Sequence, residues 1–259
     1  MKLITLLLTS LITLSPLVTL ASTGAVARAE AQALLESLAQ HFSDIHSLSY
    51  TAERTTQGRR QSSRERWFFA YQAPGFVRVN YQYPVERVLV LNTNTLYEYI
   101  PALRKALQTD LAKLSAADRQ STIKQTLTRI SLDGINPAKF QEMVSRTTAV
   151  VTPPLTPDII RISGTAPKFL IELNQQQKVL KTTDIYTSED NLLMHTDASQ
   201  FIEVSPGFWY PRQLETRYWT DQGFVNTTTL IQDISINTPL TNSLFEFTPP
   251  ARVTLETRR

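Results

Sequence analysis

Between Trp67 and Pro101 the chain reads WFFAYQAPGFVRVNYQYPVERVLVLNTNTLYEYIP, with apolar side chains recurring at every second position. Trp67, Phe69 and Tyr71, then Val77, Val79 and Tyr81, carry the period of two that marks strands with one dry face. Ala73-Pro74-Gly75 separates the two runs. Proline presets φ at the first corner of a turn and glycine tolerates φ > 0 at the second, so a type II-like turn between antiparallel strands is expected. A third run, Val88–Leu91, holds Leu89 and Leu91 and is followed by Asn92-Thr93-Asn94, where asparagine suits left-handed turn conformations. A fourth, Leu96–Ile100, carries Tyr97 and Tyr99 and stops at Pro101. The pattern is a four-strand meander with an aromatic face, and a face of that kind must be covered.

The chain has 259 residues and a formal net charge of +3, with its Lys and Arg scattered, which argues against a nucleic-acid partner. It opens on Met1-Lys2 and an apolar stretch, Leu3–Leu20, followed by Ala25-Val26-Ala27, the small-x-small pattern that signal peptidase accepts. The stretch is near the minimum for a membrane span and contains Pro16, so a cleaved signal peptide over residues 1–27 is expected rather than an anchor. No later segment is long and apolar enough to cross a bilayer. The expectation is a single exported, periplasmic domain over residues 28–259. Cysteine is absent, which removes disulfides and cysteine lipidation and leaves stability to a hydrophobic core.

Along the chain, Arg28–Phe42 places Leu34, Leu35, Leu38, Ala39 and Phe42 on one helical face. Leu48–Thr55 and Gln61–Tyr71 alternate as strands and lead into the meander. After Pro101, Ala102–Leu111 has no clear period. Ser115-Ala116-Ala117-Asp118 resembles a capping box and opens a helix carrying Ile123, Leu127 and Ile130. Asn136-Pro137 supplies an N-cap and a proline at the first helical position, starting a second helix with Phe140, Met143 and Val144 inward. Residues 111–151 thus form a helical insert between strands. Strands resume over Ile159–Gly164, Lys168–Leu173, Val179–Thr187, Leu193–Val204, Trp209–Trp219 and Phe224–Ile236, and Leu244–Pro250 is the final element. The predicted class is α+β: an antiparallel sheet of about ten to eleven strands that curls into a barrel, with an N-terminal helix and the helical insert.

Signals of catalysis are sparse. The seven Gly are too dispersed for a phosphate-binding loop, a dinucleotide fingerprint or a nucleophile elbow, each of which needs clustered glycines. His41 and His46 are wrongly spaced for two ligands on one helical face, and His195 has no second His beside it, so no metal site is expected. Glu53, Glu65, Glu86, Glu172 and Glu215 are candidates for paired carboxylates across a barrel, but they alternate with Arg and Lys as a solvated outer face does. Neither a catalytic residue nor a cofactor is expected, and the chain is read as a non-enzyme.

The aromatic stripe of Trp67, Phe69, Tyr71, Val77, Val79, Tyr81, Tyr97 and Tyr99 is either packed core, the usual fate of such stripes, or a cavity wall. Two features favour a wall. A barrel of this strand number is too wide for its own side chains to fill. The helices of the insert carry a thin apolar stripe amid Arg119, Lys124 and Arg129, as elements that open do.

Tyr71, Ala73-Pro74-Gly75-Phe76, Arg78, Leu89–Leu91, Leu96-Tyr97-Glu98-Tyr99-Ile100-Pro101 and the closing Phe245-Glu246-Phe247-Thr248-Pro249-Pro250 with Val253 together resemble the LolA family of periplasmic outer-membrane lipoprotein carriers. Phe208-Trp209-Tyr210-Pro211 is similar to a strand start in broader LolA-like proteins. The resemblance implies an unclosed barrel with a helical lid over an apolar cavity that holds acyl chains. It implies a monomeric protein whose cargo is an acylated lipoprotein or a lipid, taken from an inner-membrane donor and given to an outer-membrane acceptor. Ala73 stands where the family carries an Arg that latches the lid, and the insert and second half of the sheet are longer than in compact carriers.

The expected walls are Trp67, Phe69, Tyr71, Val77, Val79, Tyr81, Leu89, Leu91, Tyr97 and Tyr99, and the expected lid residues are Ile123, Leu127, Ile130, Phe140 and Met143. Val79 and Tyr99 on the outer face would contradict this reading. A sensor of the same fold that binds a protein partner, like the stress regulator RseB, is the alternative.

Overall fold

The computed structural model describes residues 20–59, 62–119, 121–122, 145–165, 168–221 and 223–258. They form one fifteen-stranded sheet. Its N-terminal part comprises β1 (Leu20–Thr23), β2 (Ser47–Gln57), β3 (Ser62–Gln72), β4 (Phe76–Tyr83), β5 (Arg87–Leu91), β6 (Thr95–Ile100) and β7 (Lys105–Asp110). The end of the expected 111–151 helical insert is instead a strand, β8 (Thr147–Thr152), held by pairing with the strand that follows it. After it come β9 (Ile159–Gly164), β10 (Phe169–Asn174), β11 (Val179–Tyr186), β12 (Leu192–Ser205), β13 (Phe208–Thr220), β14 (Gly223–Ile236) and β15 (Thr254–Arg258). In space the order runs β1, β8 through β14, β2 through β7, then β15. Pairing of β14 with β2 joins the two halves, from Asn226 opposite Gln57 to Ile236 opposite Leu48. Neighbours are antiparallel except β15 on β7.

All eleven strands read from the alternation are present. The four extra ones, β1, β7, β8 and β15, lack that signature, since each is short and lies at or next to an edge of the sheet. The Leu244–Pro250 element is not a strand. It begins as a 3-10 turn, Asn242–Phe245, and crosses the convex face in extended form.

Helix α1 (Gly24–Ser43) starts four residues earlier than expected. Gly24, at φ +63, makes the corner between β1 and α1, a conformation that favours glycine. Ala27 and Ala31 are fully buried, so the helix lies close on β8, β9 and β10, whose Val150, Ile160, Ile162, Phe169 and Ile171 complete this core. Further along, Leu35 and Leu38 pack with Leu173, and Leu34 joins as expected.

The turns differ in kind from the sequence expectation. Gly75 N–H donates to Gln72 O at 3.2 Å, and the Ala73–Pro74 peptide is cis, so proline occupies the second corner of a type VI turn. Gly75 accordingly needs no positive φ. At Asn92–Asn94 no residue is left-handed. Asn92 Oδ1 instead accepts from the N–H groups of Asn94 (3.1 Å) and Thr95 (2.9 Å), an Asx turn that does the same work. Ser115 caps as expected, its hydroxyl accepting from Asp118 N–H at 3.1 Å. The lid positions Ile123, Leu127, Ile130, Phe140 and Met143 lie outside the described residues. Among the described residues, no helix is long and apolar enough to cross a membrane.

Candidate functional site

Strand register decides which side chains share the concave face. In β2 these are Tyr50, Ala52 and Arg54; Ala52 faces Trp67 of β3, and Trp67 faces Tyr81 of β4. Phe69 pairs with Val79, and Val79 with Leu89 of β5, while Val77 pairs with Leu91. Eight of the ten wall positions therefore meet on one surface: Trp67, Phe69, Tyr71, Val77, Val79, Tyr81, Leu89 and Leu91. Tyr210, Leu214, Ala198 and Ile231 from the other half of the sheet face them. Tyr50 stacks on Phe69 with ring centroids 4.8 Å apart, and lies 6.3 Å from Tyr210.

Tyr97 and Tyr99 are a correction. They pair with Val90 and Val88, which alternate with Leu89 and Leu91, so they project from the convex face. There each ring lies 5.5 Å from Phe247 of the C-terminal segment. Arg78 Nη1, on the same face, donates to Leu244 O at 2.9 Å, and Phe76 meets Phe245. The closing Phe-x-Phe segment is thus a strap over the outside of β4–β6 and no part of the wall.

The wall is closed in this structure. Trp67 is 8% exposed, Phe69 6% and Val79 1%, and Leu111 and Leu114, just beyond β7, pack against it. In this state the stripe is core, and a ligand enters only if its cover moves.

The polarity of the wall changes along the strands. Towards the β2–β3 and β4–β5 turns the guanidinium of Arg54 sits 5.2 Å from the Trp67 ring, Trp67 lies 6.3 Å from Tyr81, and Arg87 sits 4.1 Å over Tyr81. Arg87 pairs with Glu98 at 3.3 Å, and Arg54 Nε donates to the buried Thr229 hydroxyl at 3.2 Å. Two cation–aromatic contacts thus rim one end of the wall, while Tyr50, Phe69, Val77 and Leu91 make the other end apolar. Sequence reading missed Arg54, Arg87 and Glu98. The parity of Arg54 with Tyr50 and Ala52 was the available signal for the first.

One polar atom breaks the dry zone. The hydroxyl of Tyr210 is buried without a hydrogen-bond partner among the described residues, and burial holds its proton far more tightly than usual. Elsewhere, His195 Nδ1 lies 2.5 Å from Asp184 Oδ1 on a half-buried strand pair. Among the described residues, no group of His, Cys, Asp and Glu is placed to hold a metal ion.

No protein-family model matches the sequence, and no curated protein matches it. Solved structures do. A DUF1329 family protein from Desulfovibrio piger superposes with a TM-score of 0.53 at 10% identity, covering 85% of this chain and 97% of that one. A LolA superfamily protein from Nitrosomonas europaea (TM-score 0.48, 12% identity) covers 84% of this chain and 97% of its own. A domain assigned as an outer-membrane lipoprotein-sorting protein from Vibrio parahaemolyticus (TM-score 0.49, 12% identity) covers 83% and 97%. At such identities the likeness is one of fold. What this chain shares with the first of them is a curled, unclosed, mostly antiparallel sheet, with few helices among the described residues.

Proposed function

We propose that this protein is a periplasmic carrier that holds acyl chains of a lipoprotein or lipid against the concave wall and releases them towards the outer membrane. The observation that carries the reading is the zoning of that wall. Its Phe69–Val79–Leu89 side is continuous and apolar, while Arg54, Arg87 and Glu98 stand at one end, the arrangement an amphiphile needs. The lipoprotein-sorting names among proteins of similar outline agree with it.

Magnitudes constrain the mechanism. Each buried CH₂ contributes about 0.8 kcal/mol, so complete burial of several acyl chains would make release too slow for a carrier. Loading must therefore displace material already packed on the wall, with Leu111 and Leu114 among it, and that displacement offsets part of the burial gain. Aromatic side chains suit such a wall because they offer large contact area with few polar groups that demand partners. Export through the N-terminal apolar stretch belongs to this proposal; removal of residues 1–27 would take β1 and the buried Ala27 with it, and the intact mass of the exported chain tests where cleavage falls.

The test is native mass spectrometry and lipid extraction of protein recovered from the periplasm, with binding of a fluorescent fatty acid measured in parallel. Co-purifying acyl chains, lost in Val79→Asn and in Leu89→Asn while circular dichroism stays native, are the expected result. Leu89 is only partly buried, so its variant keeps the test valid if Val79→Asn fails to fold. Protein free of lipid that binds no fatty acid would leave the wall as core and remove the carrier reading.

A further inference from the structure

The register puts six turns at one end of the sheet: those after β2, β4, β6, β9, β11 and β13. Every exposed aromatic side chain among the described residues lies at that end. Tyr83 is on the β4–β5 turn, and Tyr218, Trp219 and Phe224 are on the β13–β14 hairpin, where Trp219 and Phe224 meet edge-on at 4.6 Å. Trp219 is 53% exposed and Phe224 44%. Val85 and Leu103, on the β4–β5 and β6–β7 turns, add exposed aliphatic surface at the same end. Single exposed apolar residues need no explanation, but aromatics confined to the turns of one end do.

Charge leans slightly the same way. Arg59, Arg64, Arg87, Arg104, Lys105, Arg146, Lys168, Arg217 and Arg252 lie on or beside these turns, against Glu86, Glu98, Asp184, Glu189, Asp190, Asp221 and Glu256. Lys168 pairs with Asp190 and Lys105 with Glu256, but both pairs are solvent-exposed and weakly held. The opposite end carries Asp44, Asp110, Asp158, Glu172, Glu203 and Asp233 against Arg78, Lys113, Arg161, Lys178 and Lys181. One end is aromatic with a small excess of cations; the other is close to neutral and has no exposed aromatic side chain among the described residues. Just behind Tyr83 on the convex face, Glu53, Arg64, Arg66 and Tyr83 line an open cleft of about 350 Å³, in which Glu53 already pairs with Arg64 at 2.6 Å.

We propose that this end of the sheet docks on an anionic lipid bilayer, its aromatic and leucine turns entering the headgroup layer and its Arg and Lys contacting lipid phosphates. Tyr and Trp favour that layer because their rings are apolar with a polar tip, and each juxtamembrane cation strengthens contact with anionic lipid. The surface needs no cargo and stands apart from the acyl-binding reading. It also turns the Arg54–Arg87 end of the wall towards the bilayer.

Co-sedimentation of the exported chain, its N-terminus verified by intact mass, tests the surface with vesicles of equimolar phosphatidylcholine and phosphatidylglycerol against phosphatidylcholine alone. The expected result is binding to the anionic vesicles that weakens with salt. Trp219→Ser combined with Phe224→Ser should weaken it at least tenfold, and Arg104→Glu by about fivefold or more. Leu103→Asp, on a separate turn, should weaken it too, while Leu155→Ser at the far end should change nothing. All these side chains are exposed, so folding is retained, and fatty-acid binding in solution should be the same in each variant. No binding to either vesicle, equal binding to both, or binding unchanged in the turn variants would overturn the proposal. The last result would mark the aromatic turns as a protein-docking surface instead.

Discussion

The ring of Tyr99 lies 5.5 Å from that of Phe247, on the face of the sheet that turns away from the wall. That contact, repeated by Tyr97 and reinforced by the bond from Arg78 to Leu244 O, ties the last segment of the chain across β4, β5 and β6. Beyond it the chain continues into β15 and covers the edge of β7.

Removing the ring should loosen that tie. Phe247→Ala is expected to lower unfolding free energy by about 1–3 kcal/mol, below the full cost for a core Phe because the ring is only half-buried. Urea denaturation measures it. Fatty-acid binding by the folded fraction should be unchanged for Phe247→Ala and for Tyr99→Ser, since neither side chain reaches the wall.

Gly164 is held by its surroundings rather than its φ. A Cβ there would meet the Phe169 ring and the backbone oxygen of Arg146, the latter at 2.5 Å. Backbone on one side and a buried ring on the other leave little room to yield. Gly164→Ala should cost about 1–3 kcal/mol, read as a drop in denaturation midpoint with an unchanged slope.

Tyr210 makes the opposite case. Its hydroxyl is buried without a partner among the described residues, and an unmet donor of that kind costs about 1–3 kcal/mol. Tyr210→Phe keeps the ring and removes the donor, so the melting temperature should stay level or rise. A marked fall would show that the hydroxyl has a bound partner, such as a water or the cargo itself.

Asp197 gives a pH signature. Burial raises its carboxyl above the usual value, ahead of the opposing influence of His195. A folded state that holds its proton to higher pH than the unfolded state binds more protons across that window. Stability contributed by this group is therefore present at low pH and is lost as pH rises from the ordinary carboxylate range through the raised value. Asp197→Asn should flatten that part of the curve and gain stability relative to wild type above it. Melting temperature against pH in both proteins provides the check, and parallel curves would refute it.

Alternation along each strand was enough to find β2–β6 and β9–β14, because a half-buried strand must present apolar groups at every second position. It was also enough to bring Trp67, Phe69, Val77, Val79, Leu89 and Leu91 together, since residues in phase along paired strands share a face. The Ser115 cap was legible for the same reason: its bond closes within three residues.

What local pattern could not settle was which face of β5 and β6 was the inner one. Val88, Leu89, Val90 and Leu91 are apolar on both faces, because the wall packs on one and the strap on the other, and the strap lies about 150 residues further along the chain. The edges were equally hidden. β15 has strand form through its pairing with β7, and β1 through its pairing with β8. The sequence by itself determined the strands, the turn positions and an aromatic stripe. Only the tertiary structure decided that Tyr97 and Tyr99 anchor a strap, that Arg54 and Arg87 rim the wall, and that the exposed aromatics gather at one end. Each of those depends on register between segments remote in sequence, and register is fixed by the packing of the whole sheet rather than by any one strand.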